Sequence, residues 1–430
     1  MRERFENALA GKKAAVVGAG LSGKAAARLL ALLGAEVRVL ERNPDSVDPE
    51  FTEWAGLNDA EIITGDHAPE HFAGVDMVVL SPAVPRAMIE PLLPQEKTPE
   101  VIAEMELAGR YAEGRILAVT GTNGKTTSTA LAGHVLRHAG FSVFVGGNIG
   151  SPLADHVASG GVADILVLEV SSFQAQCLNT FRPDVAVMLN FAPNHLDWHS
   201  GLEEYLEAKL NLFARMGERD VAVLPESMRP QLDGRDFTRA VVKYFKPADR
   251  FIFENLPGAH NRANMEAVFE AVSFFGVTER VMREAVASFE PFPHRLERVH
   301  EADGAVWIND SKSTTLDSLR AALEAVDEPV VLVAGGRFKG GDPSELNPLL
   351  RKKVRSVWIY GESKDIFKDA WSGEVPVNVR ETLAEAVSGL RGELAAGETV
   401  LLSPAAASLD QYSSYKDRGE EFKALARREA

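Results

Sequence analysis

The residues with the clearest chemical capacity stand where RILAVT runs into GTNGKTTSTALAGHVL, an apolar stretch followed by a glycine-rich turn and a helical pattern. Glycines at such a junction let backbone amides approach phosphate oxygens, a lysine supplies charge for the β and γ phosphates, and a neighbouring hydroxyl suits Mg²⁺. Gly121, Thr122, Asn123, Gly124, Lys125, Thr126 and Thr127 therefore form a candidate nucleotide loop, with Lys125 on phosphate and Thr126 on metal. Gly121 lies three residues before Gly124 and position 119 is Val, so a shorter variant of the common phosphate loop is expected. Further on, DILVLEVSS reads as a buried strand that delivers Glu169 at its C-terminal end, where ligands sit in open α/β sheets and a hard cation finds carboxylate oxygen. Loop and acid together indicate a nucleoside triphosphate with a metal.

Other candidates gather behind this pair. After DVAVMLN, the loop FAPNHLDWH places His195 and Asp197 on the same sheet edge as Glu169, where His195 is either a second metal ligand or a hydrogen-bonded loop histidine. In GLEEYLEAKLNLFARM, helical stepping from Leu202 puts Tyr205, Leu206, Leu210 and Phe213 on one face with Lys209 among them. A lysine there either snorkels to solvent or is held in the pocket as an amine of lowered pKa, open to chemical modification. Near the N-terminus, VVGAGLSGKAAARLL carries a G-x-G-x-x-G at Gly18, Gly20 and Gly23, enclosing Leu21 and Ser22, and the next strand ends at Glu41. That arrangement suits a pyrophosphate at a helix N-terminus and a ribose hydroxyl on the acid, so NAD and a UDP-sugar are both admissible. Towards the C-terminus, VWINDSKSTT, VVLVAGGRFKGGD and TVLLSPAAASLDQYSSY place Asp310, Lys312, Thr314, Lys339 and Ser408 at strand ends.

These segments must be held by several sheets. The 430 residues correspond to about three domains of ordinary size, and apolar runs alternate with helical patterns as in α/β proteins with parallel sheets. Proline-bearing stretches at PLLPQEKTPE and SFEPFPHR suggest domains at 1–98, 99–293 and 294–430. With 62 acidic against 46 basic residues and a net charge of −16, no nucleic-acid partner is expected, and cations inside pockets become informative. Lys312 and Lys339 suit carboxylate or phosphate on this ground. The single cysteine, Cys177, forms no internal disulfide, the opening MRERFENALAGKK lacks the apolar stretch of a signal peptide, and no run is long enough to span a membrane. A cytoplasmic protein is expected.

Taken in order, GTNGKTT, GGNIG, LEVSSFQ, NHLDWH, AKL, HNRAN, PHRLE, NDSKSTT and SPAAASLDQY resemble the ATP-dependent Mur ligases of peptidoglycan synthesis. The resemblance spans all three expected domains. It implies a Rossmann-like N-terminal domain for the UDP-substrate, a central ATP-binding domain and a Rossmann-like C-terminal domain that contacts the amino acid and ATP. Asn123 stands where the alanine-adding branch has His, and no DNPR-like motif of the diaminopimelate- or lysine-adding branch is present, which leaves the D-glutamate-adding branch. The implied reaction phosphorylates the terminal carboxylate of UDP-N-acetylmuramoyl-L-alanine with ATP, and the D-glutamate amine then attacks the acyl phosphate. By the same resemblance Thr126 and Glu169 hold a first Mg²⁺, and His195 and a carbamylated Lys209 serve a second. Asn264, Arg295 and Asp310 match ATP contacts, Asn148 a contact near the muramoyl group, and Lys312 a further substrate position. Thr314 and Lys339 match contacts to the D-glutamate α-carboxylate, and Ser408, Leu409 and Tyr415 positions around its side-chain carboxylate. The chain departs from the pattern at Asn194, Trp198, Thr315, Phe338 and Ala406. A monomer is expected. An NAD-dependent oxidoreductase would use the N-terminal turn but leave the nucleotide loop and Glu169 without a role, whereas a folylpolyglutamate-synthetase-like ligase would not need the N-terminal unit.

Overall fold

The computed structural model describes residues 7–193, 198–251, 259–290, 293–302, 304–326 and 328–428. Among the described residues seventeen strands form three sheets. The first contains β1 (Lys13–Val17), β2 (Glu36–Glu41), β3 (Glu61–Thr64), β4 (Met77–Leu80) and β5 (Glu100–Ala103), all parallel, in the order β3-β2-β1-β4-β5. The second contains β6 (Arg115–Thr120), β7 (Val143–Gly147), β8 (Ile165–Glu169), β9 (Val185–Met188), β10 (Val221–Pro225) and β11 (Val241–Phe245), again all parallel, in the order β11-β10-β9-β6-β8-β7. The third comprises β12 (Glu297–Ala302), β13 (Ala305–Asn309), β14 (Val330–Gly335), β15 (Val354–Tyr360), β16 (Val377–Val379) and β17 (Thr399–Leu402). Its order is β12-β13-β17-β14-β15-β16, and only β12 runs antiparallel to its neighbour.

Runs such as AAVV, ILAV, ILVL and VAVM are apolar at consecutive positions because both faces of these parallel strands are covered, so no solvent side imposes alternation. In each sheet the chain reverses its direction of travel beside a central strand, opening a crevice at the C-terminal strand ends. Glu41, Glu169, Asp310 and the loop that begins at Gly121 lie at those ends, whereas Lys209 and Asn264 stand on helices. β5 comes after the boundary expected at 98 and extends the first sheet by pairing with β4.

Residues up to 246 with 264–286 form one compact unit, and residues 247–263 with 287–430 form another. In the first unit a continuous apolar cluster runs from Val16 and Val39 through Ile102 and Met105 to Leu166 and Met188, so the first two sheets share a core. In the second unit each face of the third sheet has its own cluster, one around Leu332, Ile359 and Trp371 and the other around Trp307, Trp358 and Phe422. No helix among the described residues is long and apolar enough to cross a membrane.

The helix Glu104–Gly109 follows β5 directly and buries two acids, Glu104 and Glu106. Glu104 Oε1 accepts from Ala154 N at 2.6 Å, and Oε2 is buried with no hydrogen-bond partner among the described residues. Burial pushes its carboxyl up to about 7 from an ordinary 4.5, against the Ala154 hydrogen bond. The folded state thus retains a proton that the unfolded chain gives up, and stability present below pH 4.5 is lost as pH rises through about 7. Glu104→Gln keeps the oxygen for Ala154 and removes the titration. It should melt several degrees higher than the parent at pH 8.5, with a gain on the order of 3 kcal/mol that vanishes by pH 4.5. Calorimetric melts at both pH values check this.

Candidate active site

β6 ends at Thr120, and the loop 121–124 passes into the helix Lys125–His138. Gly121 has φ 146° and Gly124 φ 79°, conformations that side-chain-bearing residues rarely adopt. A Cβ on Gly124 would stand 2.5 Å from Asn264 Nδ2, so the loop and Asn264 lie against each other. Lys125 Nζ donates to Gly121 O at 3.0 Å and Thr122 O at 2.9 Å, which draws the ammonium back across its own loop. The loop is braced from β9's side by Asn190, whose Oδ1 accepts from Thr122 N (3.1 Å) and Asn123 N (2.8 Å) and whose Nδ2 donates to Asn123 O (3.0 Å). Sequence reading passed over Asn190. Its only signal was a polar residue closing the apolar run DVAVMLN.

In the register of the sheet Glu169 pairs with Val119 on one side and Gly147 on the other, next to the loop. Its Oε1 accepts from Asn148 Nδ2 at 2.8 Å, and its Oε2 is buried with no partner among the described residues. Thr120 Oγ1 and Ser128 Oγ, which flank the loop, are likewise buried and unpartnered there. Such orphaned polar atoms mark a place for a polar or ionic ligand.

Lys209 settles the choice left by its helix, Leu202–Leu210. It does not snorkel. The residue is 1% exposed, its Nζ donates to Gly121 O at 2.9 Å, and the ammonium lies 4.6 Å from the centroid of the Tyr205 ring. Burial and then the Lys125 charge hold its pKa well below the usual lysine range, with Glu169 pulling the other way. Tyr205, Leu206, Leu210 and Phe213 are buried as the helical pattern predicts, whereas Leu202 is exposed because it opens the helix. His195, Asp197 and Asn194 lie outside the described residues. Trp198 stacks obliquely on Phe173 at 4.3 Å, an aromatic contact that occupies this departure from the family pattern.

The N-terminal turn is tight at two glycines and open at the third. A Cβ on Gly18 would meet Ser81 at 2.9 Å and one on Gly23 would meet Gly18 O at 1.8 Å, whereas around Gly20 nothing lies within 4 Å. Space at Gly20 permits close approach of a ligand. Leu21 and Ser22 begin the helix, with Leu21 exposed. Glu41 accepts from Ala19 N at 2.6 Å and Asn43 N at 2.9 Å, so the acid expected on a ribose braces the turn itself.

In the second unit Asp310 sits just past β13, buried, accepting from Ser403 Oγ (3.0 Å) and Leu296 N (3.2 Å). Burial pushes its carboxyl up to about 7, opposed by these hydrogen bonds and by Arg295. Arg295 is flanked by His294 at φ 67° and Leu296 at φ 49°, both in the left-handed region, a strained setting that recurs at functional sites. Lys339 Nζ reaches Thr314 Oγ1 at 3.5 Å, and Lys312 Nζ lies 4.1 Å from the Tyr415 ring centroid. Ser408 is buried and Leu409 exposed. A residue that sequence reading missed ties these strand ends together. Arg418, fully buried, donates to Ser311 O (2.8 Å), Ala406 O (3.0 Å) and Gly335 O (3.2 Å), beyond β13, beyond β17 and at the end of β14. Thr315 caps the helix Leu316–Ala325 and Phe338 packs edge-on against Phe367, which gives both departures a structural task.

Residues 119–246 match the Mur ligase middle domain, residues 294–406 the Mur ligase glutamate ligase domain, and residues 16–46 an NAD(P)-binding Rossmann-like domain. The MurF ligase of Thermotoga maritima, solved in complex with ADP, shares the fold at a TM-score of 0.63 and 17% identity, over 91% of this chain and 94% of that one. The chain belongs to the Mur ligase family. UDP-N-acetylmuramoylalanine–D-glutamate ligase of Nitratidesulfovibrio vulgaris is 49% identical over 424 residues, 98% of each chain. That of Oleidesulfovibrio alaskensis is 46% identical over 417 residues, 96% of this chain and 93% of its own.

Asn190→Ala removes the side-chain acceptor of Asn123 N and of Thr122 N, the latter keeping Asn190 O at 3.2 Å, and removes the donor to Asn123 O. A loss of about 1.5–3 kcal/mol follows, which weakens ADP affinity by roughly ten- to a hundredfold in titration calorimetry. Unchanged affinity would show that the loop keeps its shape unaided.

Proposed function

We propose that the chain is an ADP-forming amide ligase that joins D-glutamate to UDP-N-acetylmuramoyl-L-alanine, a step of peptidoglycan precursor synthesis. The observation that carries this reading is one strand edge bearing the phosphate loop, Glu169 with its unpartnered oxygen, and the buried amine of Lys209. Relatives that share almost half of this chain's residues over its length and bear that activity in their names support the substrates.

The chemistry asks for positioning and charge neutralisation more than for a nucleophile on the protein. Loop amides and Lys125 hold the ATP phosphates, Asn264 lies beside them for the base, and Arg295 and Asp310 serve phosphate and ribose. Glu169 and Thr126 are the oxygen donors for one Mg²⁺, with His195 and Lys209 for a second, and the orphaned oxygen of Glu169 fits a hard cation. When bound, the metal neutralises charge on the transferring phosphoryl group. Lys339 and Thr314 orient the α-carboxylate of the incoming amino acid, and Ser408, Leu409 and Tyr415 surround its side chain, with Lys312 beside Tyr415. The glycine turn, Glu41 and Asn148 hold the UDP-muramoyl end. The parts of the chain built on the first, second and third sheets divide these tasks.

Lys209 is poised for carbamylation. A buried amine beside a second cation sheds its proton readily, and the neutral amine adds to CO₂ to give a carbamate and one released proton. The product is an anionic oxygen ligand in place of a cation.

With ATP, Mg²⁺ and UDP-N-acetylmuramoyl-L-alanine, phosphate release should occur with D-glutamate and stay at background with L-glutamate, lysine or no amino acid. Release with a different acceptor would replace the substrate assignment. In protein equilibrated with ¹³C-bicarbonate, a carbamate carbon resonance should appear and be absent from Lys209→Ala, which also loses turnover. Near-parental turnover in that variant would refute the carbamate's role.

A further inference from the structure

The second acid of the helix Glu104–Gly109 has no place in the chemistry above, yet five donors converge on its carboxylate. Glu106 is fully buried. Its Oε1 accepts from Arg110 Nε (2.9 Å), Thr180 N (3.1 Å) and Thr180 Oγ1 (2.5 Å). Its Oε2 accepts from Asn179 N (2.9 Å) and Phe181 N (2.8 Å). Burial pushes the carboxyl up, and the bonds from Thr180, Arg110 and the two backbone groups outweigh it, so the pKa lies below the ordinary range. Arg110 also grips Glu100 of β5, and Glu100 Oε1 accepts from Asn179 Nδ2 at 3.0 Å. A second, steric observation marks the same seam. A Cβ on Gly109 would stand 2.6 Å from the Phe181 ring, so the helix end and residues 179–181 are in close contact.

This seam lies midway along a continuous path. In one direction Glu106 leads through its helix to β5, from β5 to β4, and from Ser81 just past β4 to the glycine turn, where Ser81 Oγ donates to Gly18 O at 3.0 Å. In the other it leads through residues 179–181 into β9, and from Asn190 past β9 to the amides of the phosphate loop. Apart from the short connection from residue 181 to β9, each step is a strand pairing, a strand or helix, or a hydrogen bond.

We infer that Glu106 is a positioning residue of the ligase reaction, locking the sheet that carries the glycine turn to the sheet that carries the phosphate loop in one register. The inference rests on the function proposed above. A substrate held by its nucleotide on one sheet must bring its carboxylate to a phosphate held by the other, and small misplacement of reacting groups is costly. Glu106→Gln tests the lock because both carboxylate oxygens receive backbone N–H groups, so either orientation of the amide sets an NH₂ against a donor. Gly109→Ala tests it by a steric route with no change of charge.

Spin labels on Leu57→Cys and Val162→Cys, exposed positions beside the first and second sheets, report the register, and buried Cys177 stays unlabelled. In the otherwise unaltered full-length chain the distance distribution should be narrow and unchanged by ADP, by UDP or by both. In Glu106→Gln and Gly109→Ala it should broaden or shift, and kcat should fall at least tenfold while KM for ATP stays within about twofold. A broad distribution in the parent, or variants with a parental distribution, would overturn the inference. So would a loss confined to KM for ATP. The distance measurement needs no turnover, so an acceptor other than D-glutamate would leave it standing.

Discussion

Two ammonium groups converge on one carbonyl oxygen, that of Gly121, which accepts from Lys125 Nζ and Lys209 Nζ. Gly121 is glycine because its φ of 146° suits few other residues and because a Cβ there would press within 3.1 Å of Leu189 Cβ. Like charges brought together raise each other's cost, and exclusion of water removes the screening that would soften it. Lys209 bears the burden, since it is the more deeply buried of the two and Lys125 is only partly covered. Burial and the Lys125 charge together hold the Lys209 pKa well below the usual lysine range. Two cations gathered on one carbonyl have a polyanion as their natural complement, and a lysine of lowered pKa gives up its proton more readily than an ordinary one.

That arrangement needs a rigid platform, which the second sheet provides through its topology. β6 lies between β8 and β9, and the chain leaves β6 for one side of the sheet and later returns to build the other. Loop, Glu169 and Asn190 are therefore neighbours in space although they follow different strands. The same reversal recurs beside β1 and around β13, β17 and β14, where the glycine turn and the Asp310 cluster stand. One architectural rule, used three times, offers a crevice for each part of a reaction that must assemble three substrates.

Much of this was legible in the sequence, for a local reason. Strands covered on both faces announce themselves as apolar runs, and a phosphate loop needs its glycines, lysine and threonine contiguous, so GTNGKTT and the alternation of elements sufficed. Side chains that act across the fold left no such trace. Asn190 braces a loop nearly seventy positions away, and Arg418 ties together the ends of three strands from a C-terminal helix. Glu106 looks like any helical glutamate until residues 179–181 close over it. Lys209 was ambiguous because helical periodicity locates a face but does not say how deep that face is buried. Glu41 stands in the sequence where ribose-binding acids stand, and its two backbone hydrogen bonds show a bracing task that a motif does not encode.

Glu41 also explains why residues 16–46 match an NAD(P)-binding domain in a chain of another family. The match covers the end of the first strand, the glycine turn, its helix and the following strand, and those parts solve one problem, holding a pyrophosphate at a helix N-terminus. That problem is common to dinucleotides and UDP-sugars. With Ala19 N and Asn43 N already bonded, each oxygen of Glu41 still has a lone pair for a hydroxyl, so the acid does not discriminate between the two ligands. Discrimination must come from the rest of the chain. A hydride-transfer enzyme would need a pocket for a nicotinamide and its reaction partner, and would have no use for a phosphate loop, a buried acid with an oxygen unpartnered among the described residues and a buried lysine beside a second one. A nucleotide-tethered carboxylate needs all of them, because its handle and its reactive end are chemically different and must be held at different strand edges.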